Sequence, residues 1–460
     1  MIHVHSVALL FAASEKSLPI SQRLLIALGV MFGGMLLLFF LGKVPLGYNL
    51  RNLMVRWKTT IMTALAFTMV IALMTVMLAF VNGMYQLTEN SGQPGNVIVL
   101  ADGATDETFS NLGFVDSSDV ERQPGVLRNE AGEPLSSREV YVVVNQPIIV
   151  PEGEKPRRRF IQLRGIEDPI AAGAVHGLEL HDGGTWFSPA GVSEAKPNAG
   201  GTTAGAAYIQ AVVGEGLAGE FGNDRPEKRP LQVGDTFELG PRKWIITGVL
   251  KSAGSTFDSE VWAKRSLVGP MFGKETISSM VLRTQGAKEA AELSKSLKTD
   301  YKKAALNAQT ETEYFSKLGE TSRQFLVAII FVAIVMAIGG VFGVMNTMFA
   351  AISQRTKDIG VLRILGYARR QILISFLLES MVISLIGGIL GCAIGSLADG
   401  WTAKSIVSSG AGGGKFVVLH LAVNPDILAT GLLLSLGMGT LGGFLPALSA
   451  MRLKALESLR

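Results

Sequence analysis

The sequence predicts a polytopic α-helical membrane protein, with about five transmembrane helices and a large α+β extracytoplasmic domain on a helical stalk. Three observations predict it. Only 17% of the 460 residues are charged, whereas 48% are hydrophobic; a soluble domain carries about a quarter charged residues. The missing charge is concentrated in a few apolar runs of bilayer-spanning length. Between two of these runs, residues 84–323 are rich in Gly, Pro and charged residues and hold no run that would span. The net charge of +4 suits basic cytoplasmic loops. No basic stripe with interleaved aromatics is present, which argues against nucleic-acid binding. The single cysteine, Cys392, lies in an apolar run. No disulfide can form within the chain, so the extracytoplasmic domain must be held by its own core.

Residues 1–21 read as an N-terminal tail and residues 22–42 as an extra transmembrane helix, flanked by Arg23 and Lys43. The sequence after it lacks a small-residue cleavage pattern, so it reads as a retained helix and not as a signal peptide. In residues 43–60, Leu50, Leu53, Met54 and Trp57 recur on one helical face, with Arg51, Arg56 and Lys58 around the rest. That is an amphipathic helix lying in the cytoplasmic interface, Trp57 at headgroup level; the plainer alternative is a positive flank that only orients the next span. Residues 61–83 are an uncharged span. With the basic residues retained inside, the N-terminus is expected outside.

Residues 84–286 read as the extracytoplasmic core domain, with strands at 97–100, 140–144, 160–163, 208–213 and 244–250 separated by turn signals. Residues 189–206, rich in Gly, Ala, Ser and Thr, read as a mobile loop. Residues 287–323 are helical and polar in pattern and are expected to form a stalk helix continuous with the span at 324–350. A basic loop at 351–370 joins it to the span at 371–398. A short extracytoplasmic segment, 399–424, a last span, 425–447, and a basic cytoplasmic tail, 448–460, complete the chain.

The loop at 351–370 is the segment around which the rest is organised. Arg355, Lys357, Arg363, Arg369 and Arg370 stand against Asp358, and Ile359, Leu362 and Ile364 lie among them. One face can be apolar while the other stays wet, as in an element that docks onto a partner. In the spans, Gly387, Gly391 and Gly395 share one face, as do Gly339 and Gly343, and Gly439 and Gly443. Small residues at this spacing let helix backbones approach closely in lipid, within a bundle or between subunits. Glu379 is a carboxylate inside a span. It is a functional candidate by default, but the favoured reading is structural: a hydrogen bond to a neighbouring helix, or exposure to inner-leaflet water near a basic loop residue.

Two motifs mislead. Gly214, Gly216 and Gly219 satisfy a dinucleotide-binding spacing after a strand, but Pro226 and its neighbours break the helix such a site needs. The run Gly412–Gly414 before Lys415 lacks the hydroxyl residue and preceding strand of a phosphate-binding loop. No ATPase motif is recognisable, so ATP and Mg are expected on a separate partner chain, with no cofactor and no catalytic residue here. His176 and His181 lack the further ligands of a metal site.

The pattern Arg355-x-x-Asp358-Ile359-Gly360-x-Leu362-Arg363-x-Leu365-Gly366, with Glu379 beyond it, resembles the signature of FtsX-like permeases. So does the C-terminal Gly443-x-x-Pro446-Ala447-x-x-Ala450 followed by Leu456, Leu459 and Arg460. Asn49-Leu50-Arg51 resembles that family's first amphipathic helix. Val213 to Ala218, Val233-Gly234-Asp235 and Phe257 to Trp262 look like the periplasmic core domain of MacB-type transporters. The usual permease has four spans, so the helix at 22–42 departs from the pattern, as does Asp358 where Glu is usual. MacB itself carries a fused ATPase domain, which is not seen here.

The resemblance implies the permease subunit of a mechanotransmission ABC transporter in the bacterial inner (cytoplasmic) membrane. A MacB- or LolD-like ATPase would dock on the loop, and a second permease copy would complete a homodimer. A periplasmic adaptor protein would be a further partner. Motion of the outer domain would export or extract a lipid, lipoprotein, peptide or drug. The alternative it leaves is an FtsX-like regulator of a cell-wall hydrolase.

Overall fold

The computed structural model describes residues 20–41, 51, 54–148, 155, 157–194, 207–408 and 414–453. Leu50, Leu53, most of the tail at 1–21, most of the loop at 189–206, and Lys454 to Arg460 lie outside the described residues. The chain divides into a helical unit (1–82, 326–401 and 421–460) and a sheet unit (83–325 and 402–420). In chain order the helices are α1 (Ile20–Leu41), α2 (Trp57–Ser91), α3 (Phe114–Val120), α4 (Pro169–His176), α5 (Glu215–Asn223) and α6 (Arg265–Met271). They continue with α7 (Ala287–Thr299), α8 (Glu311–Leu318), α9 (Glu320–Gln354), α10 (Thr356–Ile364), α11 (Arg369–Ser396) and α12 (Pro425–Arg452).

Among the described residues four helices, α2, α9, α11 and α12, are long and apolar enough to cross a membrane. The apolar part of α1, Ile26–Leu38, is shorter. The glycines explain how the bundle packs. A Cβ added at Gly391 would lie 2.7 Å from Ile71 Cβ and 2.8 Å from the Thr68 carbonyl oxygen, and Gly387 and Gly395 meet α2 in the same way through Phe67 and Thr75. On its other side α11 presents Ser380 and Ser384 to Gly443 and Gly439 of α12. Gly442 of α12 in turn takes Val344 of α9, 2.8 Å from its would-be Cβ. Close approach lets Thr68 donate to the Gly387 carbonyl at 3.2 Å and Ser435 to the Ser384 carbonyl at 2.5 Å. Gly339 and Gly343 make no such contact among the described residues, which leaves the seam between subunits that their spacing also allows. Nothing lies within 4 Å of a Cβ at either, because α9 meets α12 through Gly340 and Val344 and turns those two glycines to the open side.

The sheet unit holds β1 (Asn96–Ala101), β2 (Ser136–Ile148), β3 (Arg157–Ile166), β4 (Val192–Glu194), β5 (Ala207–Gly214) and β6 (Thr236–Leu239). β7 (Arg242–Leu250), β8 (Glu260–Lys264), β9 (Ser279–Arg283) and β10 (Leu306–Thr310) complete its large sheet, and β11 (Thr402–Ser408) with β12 (Gly414–His420) forms a separate hairpin. The order across the large sheet is β10-β1-β9-β2-β3-β8-β5-β7-β6, with β4 on β5. Pairs β3/β8 and β5/β7 are parallel and the rest antiparallel. The five expected strands are present. They are longer than their apolar centres because backbone pairing continues into polar flanks.

Two expectations are corrected. Residues 287–323 are not one stalk helix: α7 ends at Thr299, and β10 then pairs with β1 before α8 and α9 begin. Leu306 and Ala308, buried at period two, fit a strand, and the Lys-rich flanks obscure them. Residues 399–424 are more than a short outer segment, since the hairpin 402–420 is part of the sheet unit.

The packing predicts opposite outcomes for similar substitutions. Gly391→Leu forces a branched side chain against the α2 backbone and should cost about 1–3 kcal/mol. Gly343→Leu should shift the unfolding of the monomer by less than about 0.5 kcal/mol. Thermal unfolding of the two variants in detergent distinguishes them.

Candidate functional site

The basic loop folds as α10, a helix of nine residues between α9 and α11. Its end is fixed by Gly366, whose φ of +95° suits a residue without a side chain. The Tyr367 amide donates to the Leu362 carbonyl at 3.1 Å and the Gly366 amide to the Arg363 carbonyl at 3.3 Å, the pair of bonds that closes a Schellman turn. A capping pair then starts α11, the Gln371 side chain accepting from the Ala368 amide at 2.8 Å.

One face of α10 is pinned. Ile359 is buried in the cluster that also holds Phe67, Met348, Ile372, Phe376 and Ala450, and Gly360 is buried beside it. The other face is open. Val361, Ile364 and Leu365 are 47%, 60% and 70% exposed, beside exposed Lys357 and Asp358 and half-buried Leu362 and Arg363. Arg363 donates to the Tyr367 carbonyl at 3.4 Å.

Arg355 is placed differently from its neighbours. It is 5% exposed and grips Glu379 with both terminal nitrogens, at 2.8 and 3.0 Å, with its guanidinium 5.9 Å from the Phe376 ring. This intramembrane carboxylate therefore has the basic loop as its partner. Arg355 is part of the joint between α10 and α11 and does not belong to the open face. Arg56, at the start of α2, donates to the Gln354 side chain at the same corner. Of the other residues expected on the interfacial helix, Arg51 is exposed, as are Met54 and Trp57.

A second constellation lies inside the sheet unit and was not legible in the sequence. Strand alternation puts Val140, Leu163 and Val261 on one face of the sheet. Glu139 and Tyr141 of β2, Gln162 and Arg164 of β3, and Glu260 and Trp262 of β8 lie on the other. Such a face reads as solvated, yet each of these six side chains is at most 1% exposed. The Arg164 guanidinium binds Glu260 at 2.7 and 3.0 Å and Glu107 at 2.6 and 3.2 Å, and also contacts Glu139. Tyr141, Trp262 and Phe257 surround it at 4.9, 5.2 and 5.5 Å.

Lys415, the lysine of the glycine run, enters from β12 and reaches Glu107 at 2.6 Å and Glu260 at 3.4 Å. His176 of α4 bridges Glu139 at 2.6 Å and Glu311 at 3.3 Å. Burial alone would raise the carboxyl of Glu107, but Arg164 and Lys415 hold it well below the usual range. Burial alone would lower His176, yet Glu139 and Glu311 lift it to about 10. The imidazole is therefore a cation, and three cations face four carboxylates.

The dinucleotide spacing also resolves. β5 and β7 do run in parallel, but Gly214 and Gly216 serve chain packing, and nothing lies within 4 Å of a Cβ at Gly219. A Cβ at Gly214 would meet the Phe257 carbonyl at 2.5 Å, and one at Gly216 the Asp258 carbonyl at 3.1 Å. Next to α5 lies a cavity of about 800 Å³, bounded by α5, residues 230–233 and the hairpin. Leu231, Val249 and Val418 give it an apolar floor. The pairs His181–Glu215, at 3.2 Å, and Lys404–Glu220, at 2.6 Å, stand at its sides.

These features define a polytopic membrane protein that carries a large α/β domain. Residues 330–455 match the FtsX-like permease C-terminal family, and residues 60–300 match the MacB-like periplasmic core domain. The second match alone covers more than half of the chain, which belongs to the FtsX-like, MacB-type family of ABC transporter permeases. It is 31% identical over 242 residues to the uncharacterized ABC transporter permease YknZ of Bacillus subtilis, covering 49% of this chain and 57% of that protein. It is 22% identical over 393 residues to the macrolide export ATP-binding/permease protein MacB of Burkholderia cenocepacia, covering 79% and 53%. The chain thus spans about half the length of the curated relatives it matches. The solved extracellular domain of YknZ aligns with a TM-score of 0.30 and 15% identity, over 46% of this chain and 99% of that one, a likeness too low to carry a statement about this fold.

Removing one partner of a buried ion pair strands the other. Glu379→Ala should therefore cost about 3–5 kcal/mol, whereas the double change Arg355→Met with Glu379→Leu should recover most of it; a double-mutant cycle of unfolding free energies measures both. In the sheet unit, His176 titrates at 6.5 when unfolded and about 10 when folded. The stability it contributes is complete below about 6.5 and is lost as pH rises through 10. His176→Gln should flatten the alkaline limb of the melting temperature against pH, measured on the full chain in lipid nanodiscs.

Proposed function

We propose that this chain is the permease subunit of a mechanotransmission ABC transporter in the bacterial cytoplasmic membrane. A separate ATPase subunit binds ATP and Mg, docks on α10 and drives motion of the sheet unit on the outer side. The observation that carries this reading is the two-sided character of α10. Ile359 and the Arg355–Glu379 pair fix it to the spans, while Val361, Ile364 and Leu365 stay bare among Lys357, Arg369 and Arg370. A helix anchored that firmly passes a push into α11 without absorbing it, and an apolar patch ringed by charge is suited to a protein partner.

MacB is named for macrolide export and as an ATP-binding/permease protein, which supports both the ATP-driven step and an export role. The cavity of about 800 Å³ in the sheet unit is of a size that accepts drug-sized molecules. It favours handling of a lipid, lipoprotein, peptide or drug outside the bilayer over regulation of a hydrolase. A homodimer and a periplasmic adaptor complete the proposed assembly.

Leu365→Asp combined with Arg363→Glu should abolish stimulation of the partner's ATP turnover in nanodiscs and leave the unfolding temperature of the permease unchanged. Stimulation at the wild-type level in that variant removes α10 as the docking element.

A further inference from the structure

The chain passes between the helical and sheet units four times, at 82/83, 325/326, 401/402 and 420/421. Two passages are the continuous helices α2 and α9. The other two are the ends of the β11–β12 hairpin, joined to α11 and α12 by residues 397–401 and 421–424.

The two connectors are bonded to each other and to α2 within the helical unit. The Gly400 amide donates to the Leu421 carbonyl at 2.9 Å, the Leu421 amide to the Trp401 carbonyl at 2.8 Å, and the Val423 amide to Asp399 at 2.8 Å. Asn82 and Ala79 of α2 bond to the backbone of Ala422 at 2.8 and 3.2 Å.

Within the sheet unit the hairpin is seated at several separate points. Lys415 is 4% exposed between Glu107 and Glu260, with the rings of Tyr141 and Phe315 at 4.7 and 5.4 Å. Phe416 stacks on Phe160 with centroids 4.4 Å apart. The Val418 amide donates to Ser259 at 2.8 Å, and Lys404 pairs with Glu220. Withdrawing Lys415 would leave buried Glu107 and Glu260 sharing the single guanidinium of Arg164, an excess of buried negative charge costly enough to keep the hairpin seated.

We propose that the hairpin is a tether that carries displacement of α11 and α12 into the sheet unit, with Lys415 as its anchor. This rests on the coupling reading above. α11 is the span that the α10 joint addresses directly, through Arg355 and Glu379. The tether gives that push a route into the sheet beside Glu260 that bypasses the two long helices. Because Thr402, Lys404 and Val418 wall the large cavity, the same route acts on its boundary.

The test has two arms. In the first, Gly-Ser linkers are inserted after Trp401 and after His420, leaving Lys415 and its partners intact. In the chain with Cys392→Ala, spin labels at exposed Ile170 and Leu441 report the distance between units during ATP turnover by the partner. The tether requires the unlengthened chain to show an ATP-dependent change and the lengthened chain to lose most of it at an unaltered melting temperature. A full change in the lengthened chain overturns the tether, whereas no change in either chain overturns the coupling reading beneath it.

In the second arm, hydrogen exchange is followed in full-length Lys415→Met without any ATPase. Amides of Val417 to Leu419 should exchange about tenfold faster or more, while those of β3 and β8 keep their protection. Unchanged hairpin protection removes Lys415 as the anchor.

Discussion

A guanidinium enclosed by three carboxylates and three aromatic rings is the constraint on which the sheet unit depends. Arg164 has no route to solvent, so each of its donors must be matched inside the protein. Glu107, Glu139 and Glu260 come from three separate segments, and the strand register that aligns Tyr141, Arg164 and Trp262 follows from putting them within reach. A cluster of this kind contributes little net stability compared with an apolar filling. Its effect is on specificity, since a one-residue slip of β3 would turn Arg164 into the apolar core and leave Ile161 or Leu163 among the acids. Lys415 and His176 extend the same logic to β12 and α4.

The helical unit solves a different problem with different means. Lipid offers no hydrophobic gain for helix association, so its contacts are backbone approaches at glycine with short hydroxyl bonds between spans. A buried charge pair is admitted at the end where α10 folds back. Arg355 and Glu379 compensate each other and turn the junction of α9, α10 and α11 into a rigid corner. Both units thus use buried charge where elements distant in sequence must keep a fixed relation, and apolar or small residues elsewhere.

Much of this was legible in the sequence because the signals were local. Apolar length disclosed the four long spans and proposed a fifth at 22–42, whose apolar part is shorter; four-residue glycine spacing marked the close-packed face of α11 without naming its partners, and the Arg355–Gly366 pattern marked the segment that folds as α10. Where the sequence fell short, the deciding information was tertiary. Gly339 and Gly343 carry the same spacing as Gly387 and Gly391, and only the position of α12 beside Gly340 shows that, among the described residues, they face away from the bundle and leave the subunit seam of the two their spacing allows. Arg355 looked like one more loop cation until its distance to Glu379 was known. The charged faces of β2, β3 and β8 alternate as a solvated sheet does, and two of their coverings, α8 and β12, lie far away in the chain. Lys415 drew notice through neighbouring glycines, for a phosphate chemistry it does not perform.

Placing Lys415 so late in the chain orders the protein's biogenesis. Glu107 and Glu260 are synthesised long before their lysine, which follows the whole of α9, α10 and α11. Until that residue has been made, the sheet unit holds an acidic pocket with too few cations, uncovered where β12 will later close it. Its final consolidation therefore waits for the synthesis of α9, α10 and α11, and a sheet unit without β12 is an incomplete domain.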